Sequence, residues 1–319
     1  MRAFQVQSHE TAPVIIDLPL PEPSNSQIRV RIHACGLNFA DLLMQKGTYQ
    51  DTPALPFVAG MEVAGVVDAL GADVSGLNVG DRVAVFGGQG GLAEYGCFEA
   101  IRAVRLPDAM SFEDAAAFQI AYGTSHVALD YRAQMQPGET LLVLGAAGGV
   151  GLTAVEIGKL MGATVIACAR GSEKLEIAKA AGADHLIDAK TEDIRAVVKS
   201  LGGADVVYDP VGGEQWIAAF RAANPDARLL PIGFASGEVP KIPANHMLVK
   251  NLTVLGVYWG GYLQYKPAVV TDSLTQLFAW YEAGKLKPHI SHCLPLDQTA
   301  EGMELLRSRK STGKVVITP

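Results

Sequence analysis

Residues 140–170, TLLVLGAAGGVGLTAVEIGKLMGATVIACAR, constrain this chain more than any other stretch. They open as an apolar run, turn through Gly145, Gly148, Gly149 and Gly151, continue as a helix-like segment, and close on a second apolar run that stops at Arg170. A strand that is apolar throughout, rather than alternating, needs helices over both of its faces, which is the signature of a parallel sheet. The turn itself lays Ala146, Gly148 and Gly151 on the spacing G-x-G-x-x-G, with Gly149 and Val150 between them. Such a loop bends tightly after a strand, leaves bare backbone where a pyrophosphate approaches, and aims a helix N-terminus at it. Glycine-rich turns also arise for packing alone, so the surrounding pattern has to decide.

That pattern extends well beyond the loop. Between residues 123 and 258, apolar strands alternate with helical stretches: TLLVLGA, ATVIACA, DHLIDA, ADVVYDP, ARLLPIGFA and LTVLGVY. Six such strands with helical crossovers predict an α/β, doubly wound Rossmann sheet. Residues 1–122 read differently, as short strands (RAFQV, QIRVRIHA, MEVAGVVDAL, DRVAVFG, AEYGCFEA) broken by Gly, Pro and Asp, with one helix over NFADLLMQKG. Asn38 is the expected N-cap of that helix, with Asp41 three residues later. The tail from 259, with helices expected near 267–283 and 297–308 and a closing strand KVVIT, is predicted to return to the first domain. The expected division is therefore 1–122 with 259–319, and 123–258. A chain of 319 residues is long for one core, which agrees.

Composition removes several classes of function. A net charge of −7 offers no broad basic field for nucleic acid or a membrane surface. No apolar run approaches the roughly 18 residues that span a bilayer. The four cysteines lie far apart and form no CxxC pair, which fits a reduced, cytoplasmic setting. The seven histidines show no metal-ligand spacing, and no Gly-x-Ser-x-Gly elbow supports a hydrolase.

The second strand selects the nucleotide. NAD-preferring sites end it with a carboxylate about 20 residues past the loop, to hold the ribose 2′-hydroxyl. Here Ala169 takes that place, Arg170 follows, and Lys174 stands one helical turn further on. Two cations without a carboxylate predict NADPH, with Arg170 against the 2′-phosphate. Gly233 and Phe234 follow the fifth strand, at the C-terminal sheet edge where ligands bind; the stretch IGFASG reads either as backbone that holds the carboxamide or as a plain turn. Lys314 is expected to reach the adenosine phosphate.

Several motifs together resemble one family. CGLNFADLLMQKGTY (35–49), PFVAGMEVAGVV (56–67), LPDAMSFEDAAAF (106–118), GAAGGVG (145–151) and TGKVVI (312–317) look like the medium-chain dehydrogenase/reductases. Within that superfamily they resemble the zinc-free quinone oxidoreductases related to zeta-crystallin. The resemblance covers nearly the whole chain and implies a GroES-like β-rich catalytic domain beside the Rossmann domain. It also implies a two-domain cleft and a homodimer joined along the strand LTVLGVY. The catalytic zinc ligands of metal-dependent relatives fall on Asn38, Met61 and approximately Ile120, none of which suits zinc, so metal-independent chemistry is expected.

Carried over by the same resemblance, the reaction site falls on Tyr49, Asn38 and Asp41, with Thr124 beside the nicotinamide. Tyr49 would offer a phenol donor and Asn38 an amide N–H to a carbonyl oxygen that gains negative charge, while Asp41 would orient them. Asn38 and Asp41 read equally as a helix cap with an acidic first turn, and Tyr49 as a half-buried core tyrosine. The expected activity is NADPH-dependent reduction of a quinone or related conjugated carbonyl. The alternatives are reduction of a 2-alkenal, alkenone or acryloyl thioester, and a non-catalytic RNA-binding or structural role. An acidic chain without basic or aromatic RNA motifs disfavours the last.

Overall fold

The computed structural model describes residues 1–319, which divide into two compact units. The first holds residues 1–120 with 288–319, and the second holds 121–287. In chain order the first unit contributes β1 (Arg2–Val6), β2 (Val14–Asp17), β3 (Gln27–Gly36), α1 (Phe39–Gln45), β4 (Phe57–Val58), β5 (Glu62–Leu70), β6 (Arg82–Phe86), β7 (Tyr95–Glu99), β8 (Ala103–Arg105) and α2 (Phe112–Ala116). Helix α3 (Gln119–His126) carries the chain into the second unit, followed by β9 (Thr140–Leu144), α4 (Gly149–Leu160), β10 (Thr164–Ala169), α5 (Ser172–Ala180), β11 (His185–Asp188) and α6 (Ile194–Ser200). Then come β12 (Ala204–Asp209), α7 (Gly213–Ala222), β13 (Ala223–Pro231), α8 (Ala244–Lys250), β14 (Thr253–Val254), α9 (Trp259–Tyr265) and α10 (Pro267–Glu282). The chain ends back in the first unit with β15 (Ile290–Pro295), α11 (Thr299–Arg307) and β16 (Lys314–Thr318).

The first unit is built on a seven-stranded sheet in which β15, β16, β3, β5, β6 and β8 follow one another and β7 pairs with β3. A smaller sheet runs β2–β1–β4. Strand β3 shows why the chain pleats here. Ile28, Val30, Ile32 and Ala34 point into the core, while Arg29, Arg31 and His33 alternate outward. This is the GroES-like domain expected from the resemblance.

The second unit is a six-stranded parallel sheet in the order β11–β10–β9–β12–β13–β14. That order reverses direction between β9 and β12, so the ends of those two strands form the switch point where such sheets take their ligands. Leu141 to Leu144 of β9 are completely buried, as the unbroken apolar run requires. The α/β Rossmann expectation holds.

Two expectations need correction. The first concerns residues 259–287, which belong to the second unit rather than the first. The aromatic stretch GVYWGGYLQY belongs to this unit too: from Trp259 it forms α9, whose Tyr262 stacks edge-on against Tyr131 at 5.7 Å. On α10, Ser273 bonds the ring of buried His126 at 2.9 Å, and Val269, Val270, Leu274 and Leu277 bury the same face. The second concerns the edge strand, which is only Thr253–Val254, so most of LTVLGVY lies outside the ladder.

Candidate active site

The glycine loop is held by its own backbone. Gly145, at φ +58°, turns the chain sharply after β9, and the Ala146 N–H donates to the Cys168 carbonyl of β10 at 3.0 Å. Gly148 N–H returns to the Gly145 carbonyl at 2.9 Å and Gly148 caps α4, so Gly149, Val150 and Gly151 form its first turn. The N–H groups of a first helical turn have no partner within the helix, and there they suit an anion. A Cβ on Gly151 would stand 2.2 Å from the Gly145 carbonyl oxygen, so helix and strand approach closely enough here to admit only glycine. Beneath the loop lies a buried hydroxyl network. Ser125 Oγ meets Thr153 Oγ1 at 2.8 Å and Tyr208 Oη at 2.9 Å, and both Ser125 and Thr153 donate to the Val150 carbonyl. Thr124 is buried on α3, one residue before Ser125.

Beside the loop, the turn after β12 is fixed by Asp209, whose carboxylate accepts the N–H groups of Val211 and Gly212. Burial pushes that carboxyl up, against the two backbone bonds that hold it down. Gly233 and Phe234 lie in the neighbouring turn. The Gly233 N–H is directed at the Asp209 carbonyl at 3.3 Å, and the Phe234 side chain is exposed.

At the end of β10, Arg170 is exposed. Strand β11 pairs Asp188 with Ala169, so a carboxylate does stand near this corner, on the adjacent strand. Its Oδ1 accepts the Gly171 N–H at 3.0 Å and the Lys190 N–H at 2.9 Å, and those bonds hold the carboxyl below its ordinary range. The same turn folds Lys190 back until its Nζ lies 3.6 Å from where a Cβ on Gly171 would stand. Lys190 thus joins Arg170 and Lys174 as a third cation of this corner. Sequence spacing from the loop did not reach it, because it arrives from the next strand.

The first unit gathers a second cluster, and Glu62 and Lys314 are its centre. Both are buried, each as the first residue of its strand, β5 and β16, and paired Nζ to Oε1 at 2.5 Å. Asn38, the residue before α1, donates Nδ2 to Glu62 Oε1 at 2.9 Å and to the Gly36 carbonyl at 3.2 Å, and its Oδ1 accepts from Lys314 at 2.8 Å. The second Glu62 oxygen takes the Ile120 N–H at 2.9 Å. Asp41 is wholly buried and its Oδ2 accepts the Asn38 backbone N–H at 2.8 Å, as a first-turn acid should. Burial pushes the Asp41 carboxyl up to about 7, against the Asn38 bond and the Lys314 charge. Tyr49 is half-buried against the core, and its phenol is pushed up to about 12 by burial, then by Asp51 and Asp41. It therefore keeps its proton throughout the neutral range.

Two sequence expectations change, and one residue was not foreseen. Lys314 does not serve a phosphate, since its ammonium is buried and spent on Glu62 and Asn38. Asn38 has no amide N–H to offer an oxyanion, because both are already directed at Glu62 and Gly36. Glu62 was missed, although a lone carboxylate in the apolar run MEVAGVV was a readable signal. Asn38, Asp41 and Lys314 do come together, while Tyr49 stands nearby without a bond to any of them. The amide, thioether and aliphatic side chains of Asn38, Met61 and Ile120 do not fit a catalytic zinc, and Glu62 beside them already carries a cation.

A doubly wound nucleotide fold joined in sequence to a GroES-like unit defines a dehydrogenase/reductase architecture. The comparisons agree. The model for an alcohol dehydrogenase GroES-like domain matches residues 24–108, and that for a zinc-binding dehydrogenase matches residues 149–275. A quinone oxidoreductase-like protein 2 homolog of Nematostella vectensis is 42% identical over 92% of this chain and 81% of its own length. Among solved structures, the quinone oxidoreductase of Thermus thermophilus, also described in complex with NADPH, is 34% identical with a TM-score of 0.89 over the whole of both chains. The Escherichia coli quinone oxidoreductase complexed with NADPH is 28% identical with a TM-score of 0.92, again over both full chains. The chain belongs to the quinone oxidoreductase branch of the medium-chain dehydrogenase/reductase superfamily. No helix is long and apolar enough to cross a membrane.

Proposed function

We propose that this chain is an NADPH-dependent quinone oxidoreductase, acting without a metal in the cytoplasm. The observation that carries the reading is the β10 corner, where Arg170, Lys174 and Lys190 stand one strand from a glycine loop that presents the first turn of α4. These residues fit a phosphorylated dinucleotide. The first-turn N–H groups of α4 hold the pyrophosphate and the three cations hold the 2′-phosphate. When bound, the nicotinamide supplies the hydride.

The chain's own task is to receive the charge that builds on the acceptor oxygen. Tyr49 does this as a donor, because a phenol held near 12 keeps its proton at Oη and offers it in a hydrogen bond. Asp41 fixes the entry to α1 through the Asn38 N–H. Relatives named quinone oxidoreductases favour a quinone over an acyclic enone as the acceptor.

The test is NADPH consumption by the purified protein, run in parallel with 1,4-benzoquinone and an acyclic enone. Turnover with the quinone is expected, reduced at least tenfold by Tyr49→Phe. Turnover confined to the enone would move the protein to the double-bond reductases, and an unaltered Tyr49→Phe rate would remove the phenol from the reaction.

A further inference from the structure

Asn38, Glu62 and Lys314 form a closed ring. The ammonium donates to the carboxylate and to the amide oxygen, and the amide nitrogen donates back to the same carboxylate oxygen. A side-chain amide can ordinarily turn end for end at little cost. Here it cannot, because the flipped form would set N–H groups against an ammonium and an oxygen against a carboxylate. Both amide hydrogens are consumed, the second by the Gly36 carbonyl. What Asn38 has left to present is Oδ1 alone, an acceptor that faces the Lys314 ammonium and the cap of α1, with no hydrogen left to donate.

We infer that Glu62 and Lys314 are positioning residues that lock Asn38 as a hydrogen-bond acceptor, so that the group it meets during reaction is a donor, a hydroxyl or amide N–H, and not the developing oxyanion. This rests on the reading of Asn38 as part of the reaction site. It also divides labour within the unit. Tyr49 is left as the donor, and Asn38 holds something that donates. Ile120 adds a reason for the carboxylate to stay ordered, because its N–H occupies the second Glu62 oxygen and leaves the first for the ring.

Single substitutions would strand a buried charge, so the informative protein is the paired variant Glu62→Gln with Lys314→Met, which removes both charges together. It is expected to melt within a few degrees of the parent and to lose at least tenfold in kcat, with the KM for NADPH within twofold. Asn38→Ala should lose about as much, and combining it with the paired variant should cost little more, because all three changes remove one locked amide. A second readout needs no substrate. The Asn38 carboxamide resonances, assigned by their absence in Asn38→Ala, should exchange slowly with solvent in the parent and much faster in the paired variant. Parental kcat in the paired variant, losses that add in the combination, or unchanged amide exchange would each overturn the inference. A parent inactive with every acceptor would instead sink the proposed function, and the amide exchange would still decide whether the lock exists.

Discussion

Asp41 gives the residue scale its clearest pH signature. Its carboxyl has an ordinary value of 3.8 and is pushed up to about 7 in the fold, mainly by burial. Above the ordinary value the unfolded chain loses this proton first, while the folded chain keeps it until about 7. The contribution to stability is therefore full below about 4 and is lost as pH rises through that window, by a few kcal/mol, on the order of 4. Urea titrations between pH 4 and 8 should show this decline, and Asp41→Asn should flatten it. In the nucleotide unit, Arg170→Ala and Lys190→Ala are each expected to weaken NADPH about fivefold to tenfold, or roughly 1 kcal/mol, and to leave NADH unchanged. Equal losses for both nucleotides in a binding titration would argue against a 2′-phosphate contact. Sequence showed Arg170 because it follows the apolar strand directly. It did not show Lys190, whose approach depends on a turn around Asp188, nor the direction of the Asn38 amide, which depends on a partner 276 residues away.

Elements were more legible than side chains, for a physical reason. Strands buried on both faces and helices between them impose period and composition on long stretches, and β9 to β13 announced themselves in this way. The loop before α4 was legible too, because close backbone approach leaves glycine as the solution. Gly151→Ala should accordingly force strand and helix apart, costing about 1–3 kcal/mol of stability and at least tenfold in nucleotide affinity by calorimetry. Native affinity in that variant would mean the loop tolerates more than its geometry implies. What escaped was α9, where paired glycines and four aromatics within ten residues carried no helical period of their own. Its helicity comes from burying Trp259 and Tyr262, a tertiary effect that local sequence does not record.

For the whole molecule, the boundary after β14 was misplaced by about thirty residues, since nothing in composition marks where α10 finds its apolar partners. The opposite end of the nucleotide sheet is β14, a short edge strand beside α8, whose Leu248 and Val249 are 76% and 72% exposed. A second copy of the chain covering this apolar edge is expected, and Leu248→Glu with Val249→Glu should yield a monomer by sedimentation. A parent that already sediments as a monomer would end that expectation. Order of synthesis adds a last point. Asn38 and Glu62 are made well before the ammonium that balances them, which sits on β16, 276 residues after Asn38. Until that strand docks beside β3, the growing chain holds a carboxylate with no counter-charge in an apolar setting, and the GroES-like unit has reason to stay open. The GroES-like unit is thus split around the nucleotide unit and closes only after it, and a chain stopped shortly before Lys314 would carry a complete nucleotide fold and no locked amide.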